Sequence, residues 1–376
     1  MSLTEESGAP VAPELASPLL DVVDLKTHFK TPRGLARAVD GVTFSLDRGR
    51  TLGVVGESGS GKSVLARSIM GLLPKSNVIR EGAIRFEGVD LTEITAKEMQ
   101  QYWGSQISMI FQDPMTSLNP VMRIGKQITE ALRRHLDVDR DFANETAGNL
   151  LRQVGIPEAE RRLKDYPHQL SGGMRQRVMI AIALSCGPRL LFADEPTTAL
   201  DVTVQAQILD LLEEQQRDRF MAMVLVTHDL GVVAGRADEI AVMYAGRIVE
   251  KAPTRTLFTE MRHPYTEALL KSIPKVQHPA HTRLEAIAGR PPDIVNPPKG
   301  CNFAPRCPYA QERCLEEEPP LAGSIDTEAG HAFACFYPVG TAAGTEALER
   351  NRAAGHTAAA AGVPTEGAVA GSDGSA

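Results

Sequence analysis

The residues best suited to chemistry lie in one octapeptide, Gly56-Glu57-Ser58-Gly59-Ser60-Gly61-Lys62-Ser63, which fits the pattern G-x-x-x-x-G-K-[ST]. Gly56, Gly59 and Gly61 let the backbone turn tightly, so that successive N–H groups, those of Ser58 and Ser60 among them, face an anion. A helix beginning at Lys62 adds the positive end of its dipole. The ligand such a loop suits is a polyphosphate, with the Lys62 ammonium reaching its β and γ phosphates and Ser63 ligating Mg2+. The glycine spacing is not the G-x-G-x-x-G of a dinucleotide loop. No N-K-x-D stretch is present to read guanine, so ATP is the expected nucleotide.

A nucleotide site also needs carboxylates for metal and water. Leu190-Leu191-Phe192-Ala193-Asp194-Glu195 ends an apolar run with two of them. Asp194 is expected to bind Mg2+ and Glu195 to act as the general base on the attacking water. Ser171, Gly172 and Gly173 open an apolar helical run and make a second helix N-terminus suited to a γ-phosphate, although a serine-capped core helix is the competing reading. A different chemistry is offered by Cys301, Cys307, Cys314 and Cys335, spaced C-x5-C-x6-C-x20-C in a proline-rich stretch. Four thiols in such a segment invite a four-coordinate metal centre, zinc or iron-sulfur. The C-x2-C knuckle of structural zinc sites is absent, and Cys307-Pro308 resembles the Cys-Pro of ferredoxin loops. Arg306 and Arg313 stand beside the thiols, to offset cluster charge or simply to be solvated, while Cys186 reads as a core residue.

These side chains must be held by strands and helices that alternate. Near-continuous apolar runs at 51–55, 107–111, 190–193, 223–227 and 240–243 read as strands buried on both faces, and the pattern over 62–73 is helical. The fold class is therefore α/β, with a parallel sheet and crossover helices. The phosphate loop falls between a strand and a helix, as its chemistry requires. Residues 91–185 are mostly polar and helical in pattern and read as an inserted helical subdomain.

Composition narrows the function classes. The 40 basic and 47 acidic side chains in 376 residues leave a net charge of −7, which argues against a nucleic-acid-coating role. No apolar stretch approaches the roughly 20 residues of a membrane helix. The N-terminus carries Glu5 and Glu6 without a basic or apolar region of the secretory type, so a cytosolic chain with reduced thiols is expected. Four segments follow: a disordered leader over 1–18, an ATPase domain over 19–262, a cysteine-bearing extension over 263–338 and a disordered Ala/Gly-rich tail over 339–376.

Leu170-Ser171-Gly172-Gly173-Met174-Arg175-Gln176-Arg177 resembles the signature sequence of ATP-binding cassette (ABC) ATPases. The resemblance implies a P-loop core with an antiparallel β subdomain and an inserted helical subdomain. It implies that Ser171, Gly172 and Gly173 engage ATP on an opposite subunit, and that Asp201, in Ala199-Leu200-Asp201, crosses to that partner. Gln112 resembles the glutamine that contacts Mg2+ and water, and His228 the switch histidine that touches the γ-phosphate. Phe29 falls where the family stacks adenine on an aromatic ring, with a core phenylalanine as the competing reading.

The strings Phe111-Gln112-Asp113-Pro114-Met115-Thr116-Ser117-Leu118-Asn119-Pro120, Tyr166-Pro167-His168-Gln169 and His263-Pro264-Tyr265-Thr266 are closest to ATPase subunits of bacterial oligopeptide and dipeptide importers. The implied setting is the cytoplasmic face of the membrane. The implied partners are a second ATPase subunit in a heterodimer, two membrane permeases and, indirectly, an extracytoplasmic substrate-binding protein, with no nucleic acid. Related complexes carry nickel, glutathione or antimicrobial peptides, so those cargoes stay open, as does a soluble ABC ATPase outside transport. The resemblance also implies a 4Fe-4S cluster on Cys301, Cys307, Cys314 and Cys335, with Zn2+ as the alternative.

Overall fold

The computed structural model describes residues 17–198, 200–273, 287–323 and 330–355. The expected disorder of residues 1–16 and 356–376 lies outside them. In chain order the first strands are β1 (Leu20–Thr31), β2 (Gly34–Leu46), β3 (Thr51–Val55), β4 (Val78–Phe86), β5 (Val89–Asp90) and β6 (Ile107–Ile110). They are followed by β7 (Leu190–Asp194), β8 (Ala222–Thr227), β9 (Glu239–Tyr244), β10 (Arg247–Pro253), β11 (Ala322–Gly323) and β12 (Ala332–Phe333). Two sheets result. β2-β1-β4-β5 is wholly antiparallel, and β11-β12-β10-β9-β3-β8-β7-β6 is the eight-stranded centre of the molecule.

The central strands β9, β3, β8, β7 and β6 pair in parallel. Every residue of β3, β6, β7 and β8 is buried, which explains their unbroken apolar runs. Alternation along these strands divides the core between the two faces. Val55, Leu191, Leu225 and Val242 pack with the helical segment, and Leu52, Val54, Phe192 and Val224 pack with the antiparallel sheet. Because β3 lies between β9 and β8, its carboxyl end opens where ligands bind open α/β sheets.

The inserted helical segment begins after β6, because Ile107–Ile110 belongs to the central sheet. Its helices Ile124–His135 and Arg140–Gln153 bury Ile128, Leu132, Ala143 and Leu151 against Val178 and Ile180 of the helix Gly172–Leu184. The extension after residue 262 is not a detached unit. β12 pairs with β10 through Glu250↔Phe333 and Lys251↔Ala332, and Tyr265, Leu269 and Phe303 belong to the ATPase core.

One expectation is corrected. Within the tail read as disordered from residue 339, Ala342–Ala353 is a helix capped by the Thr341 hydroxyl. Tertiary bonds supply what its small side chains cannot. Asn351 Nδ2 donates to the carbonyls of Pro308 and Ala310, both at 2.9 Å, and Gln311 Nε2 donates to Asn351 Oδ1 at 3.0 Å.

Candidate active site

The phosphate loop closes the carboxyl end of β3. Gly56 and Gly61 adopt φ of +155° and +103°, and a Cβ at either would fall 2.2 Å from a backbone oxygen, that of Met243 or Ala38. Glycine is therefore a steric requirement at both positions. The helix Lys62–Ile69 starts directly after the loop. Lys62 is 4% exposed and its Nζ donates to the carbonyls of Gly56 at 2.7 Å and Glu57 at 2.9 Å, with the Ser60 hydroxyl at 3.4 Å. Burial lowers the pKa of this ammonium, against the pull of Glu195, Asp194 and Glu57.

Ser63 Oγ donates to Asp194 Oδ1 at 2.7 Å. Asp194 is fully buried at the end of β7, where burial raises its pKa and the Ser63 hydroxyl opposes the rise. Its Oδ2 has no hydrogen-bond partner, and the Arg67 guanidinium stays 3.9 Å away. A buried carboxylate oxygen left free beside a serine hydroxyl is a donor set that fits a hard divalent cation such as Mg2+.

Glu195 holds φ at +47°, unusual for a residue with a side chain, while its N–H donates to the Val226 carbonyl at 2.9 Å. The local backbone thus turns the carboxylate out of the strand line. Three groups meet its Oε2: Gln112 Nε2 donates at 3.0 Å, the Thr198 hydroxyl donates at 2.9 Å and His228 Nδ1 lies at 3.4 Å. Gln112 follows β6 and His228 follows β8, so neighbours of β7 on both sides deliver side chains to one carboxylate. Thr198 is a contact that sequence reasoning missed.

Ser171 caps the helix Gly172–Leu184 by accepting from the Met174 N–H at 3.3 Å. Ser171 and Gly172 are exposed, and a Cβ on Gly172 would meet nothing within 4 Å. Gln176 Nε2 donates to the Pro196 carbonyl at 2.6 Å and ties this helix to the turn after Glu195. Asp201 is exposed and caps the helix Val202–Asp218 through the Val204 N–H at 2.9 Å; Ala199 lies outside the described residues. Phe29 is half-buried on β1, opposite Ala36 and Val78. Its strand reaches the phosphate-loop helix two residues earlier, where the hydroxyls of Thr27 and Ser68 lie 2.5 Å apart.

Cys301, Cys307, Cys314 and Cys335 are all free thiols lining one cavity with Phe303, Tyr309 and Phe336. Burial pushes Cys301 up to about 11 and Cys335 up to about 12, and the charges of neighbouring cysteines add to both. Among the described residues, no three His, Cys, Asp or Glu are grouped to hold a metal ion. The described residues therefore show no preformed site for zinc or for an iron-sulfur cluster. The two arginines beside the thiols are used otherwise. Arg306 is 4% exposed and pairs with Glu57, and Arg313 stacks on Phe336 at 3.9 Å while bonding Glu317 at 2.9 Å.

A phosphate loop on a central parallel strand, a strand-end carboxylate pair and an exposed serine-glycine helix start define an ABC-type ATPase. Residues 39–198 match the ABC transporter family, and residues 249–314 match the oligopeptide/dipeptide transporter C-terminal region. The chain is 53% identical over 310 residues to the oligopeptide transport ATP-binding protein OppD of Bacillus subtilis, covering 82% of this chain and 87% of that protein. It is 49% identical over 339 residues to OppD of Escherichia coli, covering 90% and 99% respectively. Among solved structures, the ATP-binding cassette MJ0796, a dimer in a post-hydrolysis state bound to ADP and Pi, superposes with a TM-score of 0.57 at 25% identity. That match covers 63% of this chain and 99% of that one. The chain belongs to the family of oligopeptide and dipeptide transport ATP-binding proteins.

Proposed function

We propose that this chain hydrolyses ATP to drive the import of oligopeptides or dipeptides. The observation that carries the reading is the meeting of Gln112, Thr198 and His228 on Glu195 Oε2, next to a loop whose Lys62 and Ser63 are set for phosphate and metal. Glu195 takes a proton from the attacking water, and Gln112 and His228 orient that water. Mg2+, held by Ser63 and Asp194, with Gln112 as the further expected contact, would supply charge neutralisation on the phosphate oxygens. Ser171 and Gly172, both exposed, and Gly173 beside them engage the ATP of a second ATPase subunit, and Asp201 lies on the same contact surface; each site is completed across the pair. Phe29 is the proposed adenine platform.

The complex implied by the family contains that second subunit, two permeases and an extracytoplasmic binding protein. Among the described residues no helix is long and apolar enough to cross a membrane. The family likeness supports a peripheral place on the cytoplasmic face of the permeases. Reconstitution of the five subunits into proteoliposomes tests the reading. ATP-dependent accumulation of a labelled peptide is the expected result, and hydrolysis without uptake of any di- or oligopeptide would remove the cargo assignment.

The cysteine cavity is proposed to hold a 4Fe-4S cluster on Cys301, Cys307, Cys314 and Cys335, and what supports it is that the four thiols line one cavity. Anaerobically purified wild type is then expected to carry iron, sulfide and visible absorption, and Cys307→Ser to lose most of all three. Wild type containing zinc without sulfide would overturn the cluster.

A further inference from the structure

The extension does more than carry four cysteines, because two of its buried side chains seize the second residue of the phosphate loop. Arg306 lies on the short turn Ala304–Arg306, between Cys301 and Cys307. Its two terminal nitrogens donate to Glu57 as a fork, Nη1 to Oε2 at 2.7 Å and Nη2 to Oε1 at 3.0 Å. Nη1 also reaches the Tyr244 hydroxyl at 3.2 Å, and Nε donates to the Ala288 carbonyl at 2.9 Å. Every guanidinium nitrogen is therefore engaged, which fixes the fork in one orientation. Tyr265, wholly buried at the start of the helix Pro264–Lys271, accepts the Glu57 N–H at 2.8 Å through its hydroxyl. Its ring packs on Tyr244 at 4.6 Å and on Phe303 at 5.4 Å, so the hydroxyl has little freedom.

Two consequences concern nucleotide. Lys62 spends its donors on the Gly56 and Glu57 carbonyls and the Ser60 hydroxyl, so an arriving phosphate must draw at least one away. The loop then relies on Arg306 and Tyr265 to keep the shape in which its N–H groups face the phosphates. Glu57 is also an anion within the loop, and without Arg306 its charge would oppose a triphosphate.

We propose that the cysteine-bearing extension is a structural part of the nucleotide site, with Arg306 and Tyr265 as positioning residues that hold Glu57 and so set the affinity for ATP. The proposal rests on the reading of the loop as the ATP site. It is tested on the full-length chain by calorimetric titration with Mg-ATP and by the ATP dependence of hydrolysis in the assembled complex. Arg306→Met is expected to raise Kd and KM by about tenfold while changing kcat much less, the scale expected for a lost charge-assisted bond. Adding Glu57→Gln to Arg306→Met removes the stranded carboxylate and is expected to recover most of the affinity. A role in stability alone would lower the melting temperature and the active fraction, yet leave the Kd of the folded protein and the second substitution without effect.

Tyr265→Phe keeps the ring and deletes only the hydroxyl; it is expected to weaken ATP binding several-fold, and it decides the matter if Arg306→Met does not fold. An unchanged Kd in Arg306→Met, or in Tyr265→Phe where that variant decides, overturns the proposal, as does a double variant no better than the single one. Wild type that fails to bind ATP, or Lys62→Ala that binds it normally, would instead overturn the site assignment beneath it.

Discussion

Glu195→Gln is expected to bind ATP as the wild type does and to lose about a hundredfold or more of its hydrolysis rate, the usual range for removing a general base. The geometry predicts this separation of binding from turnover. The carboxylate follows β7, makes none of the Lys62 hydrogen bonds that shape the phosphate loop, and gathers Gln112, Thr198 and His228 on one oxygen. Glutamine keeps the volume and can still accept from those groups, but it cannot take a proton from water. Single-turnover hydrolysis alongside equilibrium ATP binding checks the prediction. Paired subunits held together by unhydrolysed ATP should also accumulate and be visible by sedimentation. Wild-type turnover in this variant would remove Glu195 from the role.

Lys62→Ala is expected to act on binding itself, with ATP affinity reduced about a hundredfold and peptide uptake by the complex abolished. Two charge-assisted bonds to phosphate, at about 1.5 kcal/mol or more each, account for a loss of that size. The side chain is 4% exposed and bonded to its own loop, so its removal also releases the carbonyls of Gly56 and Glu57. Circular dichroism and the melting temperature would separate that local loosening from failure to fold. Unaltered uptake would end the assignment of this loop to the energising nucleotide.

The chemistry was legible where it is local. The glycine-lysine-serine loop and the Asp194-Glu195 pair are each contiguous, and their flanking apolar runs became buried strands of the central sheet. Gln112 and His228 could be placed only by resemblance, because the sheet order that brings β6 and β8 beside β7 has no trace in local periodicity. Arg306 and Tyr265 lie 249 and 208 residues from Glu57. A sequence shows an arginine among cysteines and a tyrosine after a proline, while the contact exists only once β10 and the extension have folded against the loop. The helix Ala342–Ala353 was missed for a related reason: its composition is that of a solvated tail, and Asn351 finds its partners in a turn 40 residues earlier. Reading such segments from composition weighs only what they bury themselves.

β12 covers the flank of β10, and Glu250, wholly buried there, accepts from the N–H groups of Arg262 at 2.6 Å and His263 at 3.0 Å, with His331 Nε2 at 2.8 Å. A chain truncated at residue 262 would bare that strand edge, strand an anion and strip Tyr244 of its aromatic neighbours Tyr265 and Phe303. Exposed edges of this kind recruit further chains, so the shortened protein is expected to aggregate on expression rather than yield a minimal soluble cassette.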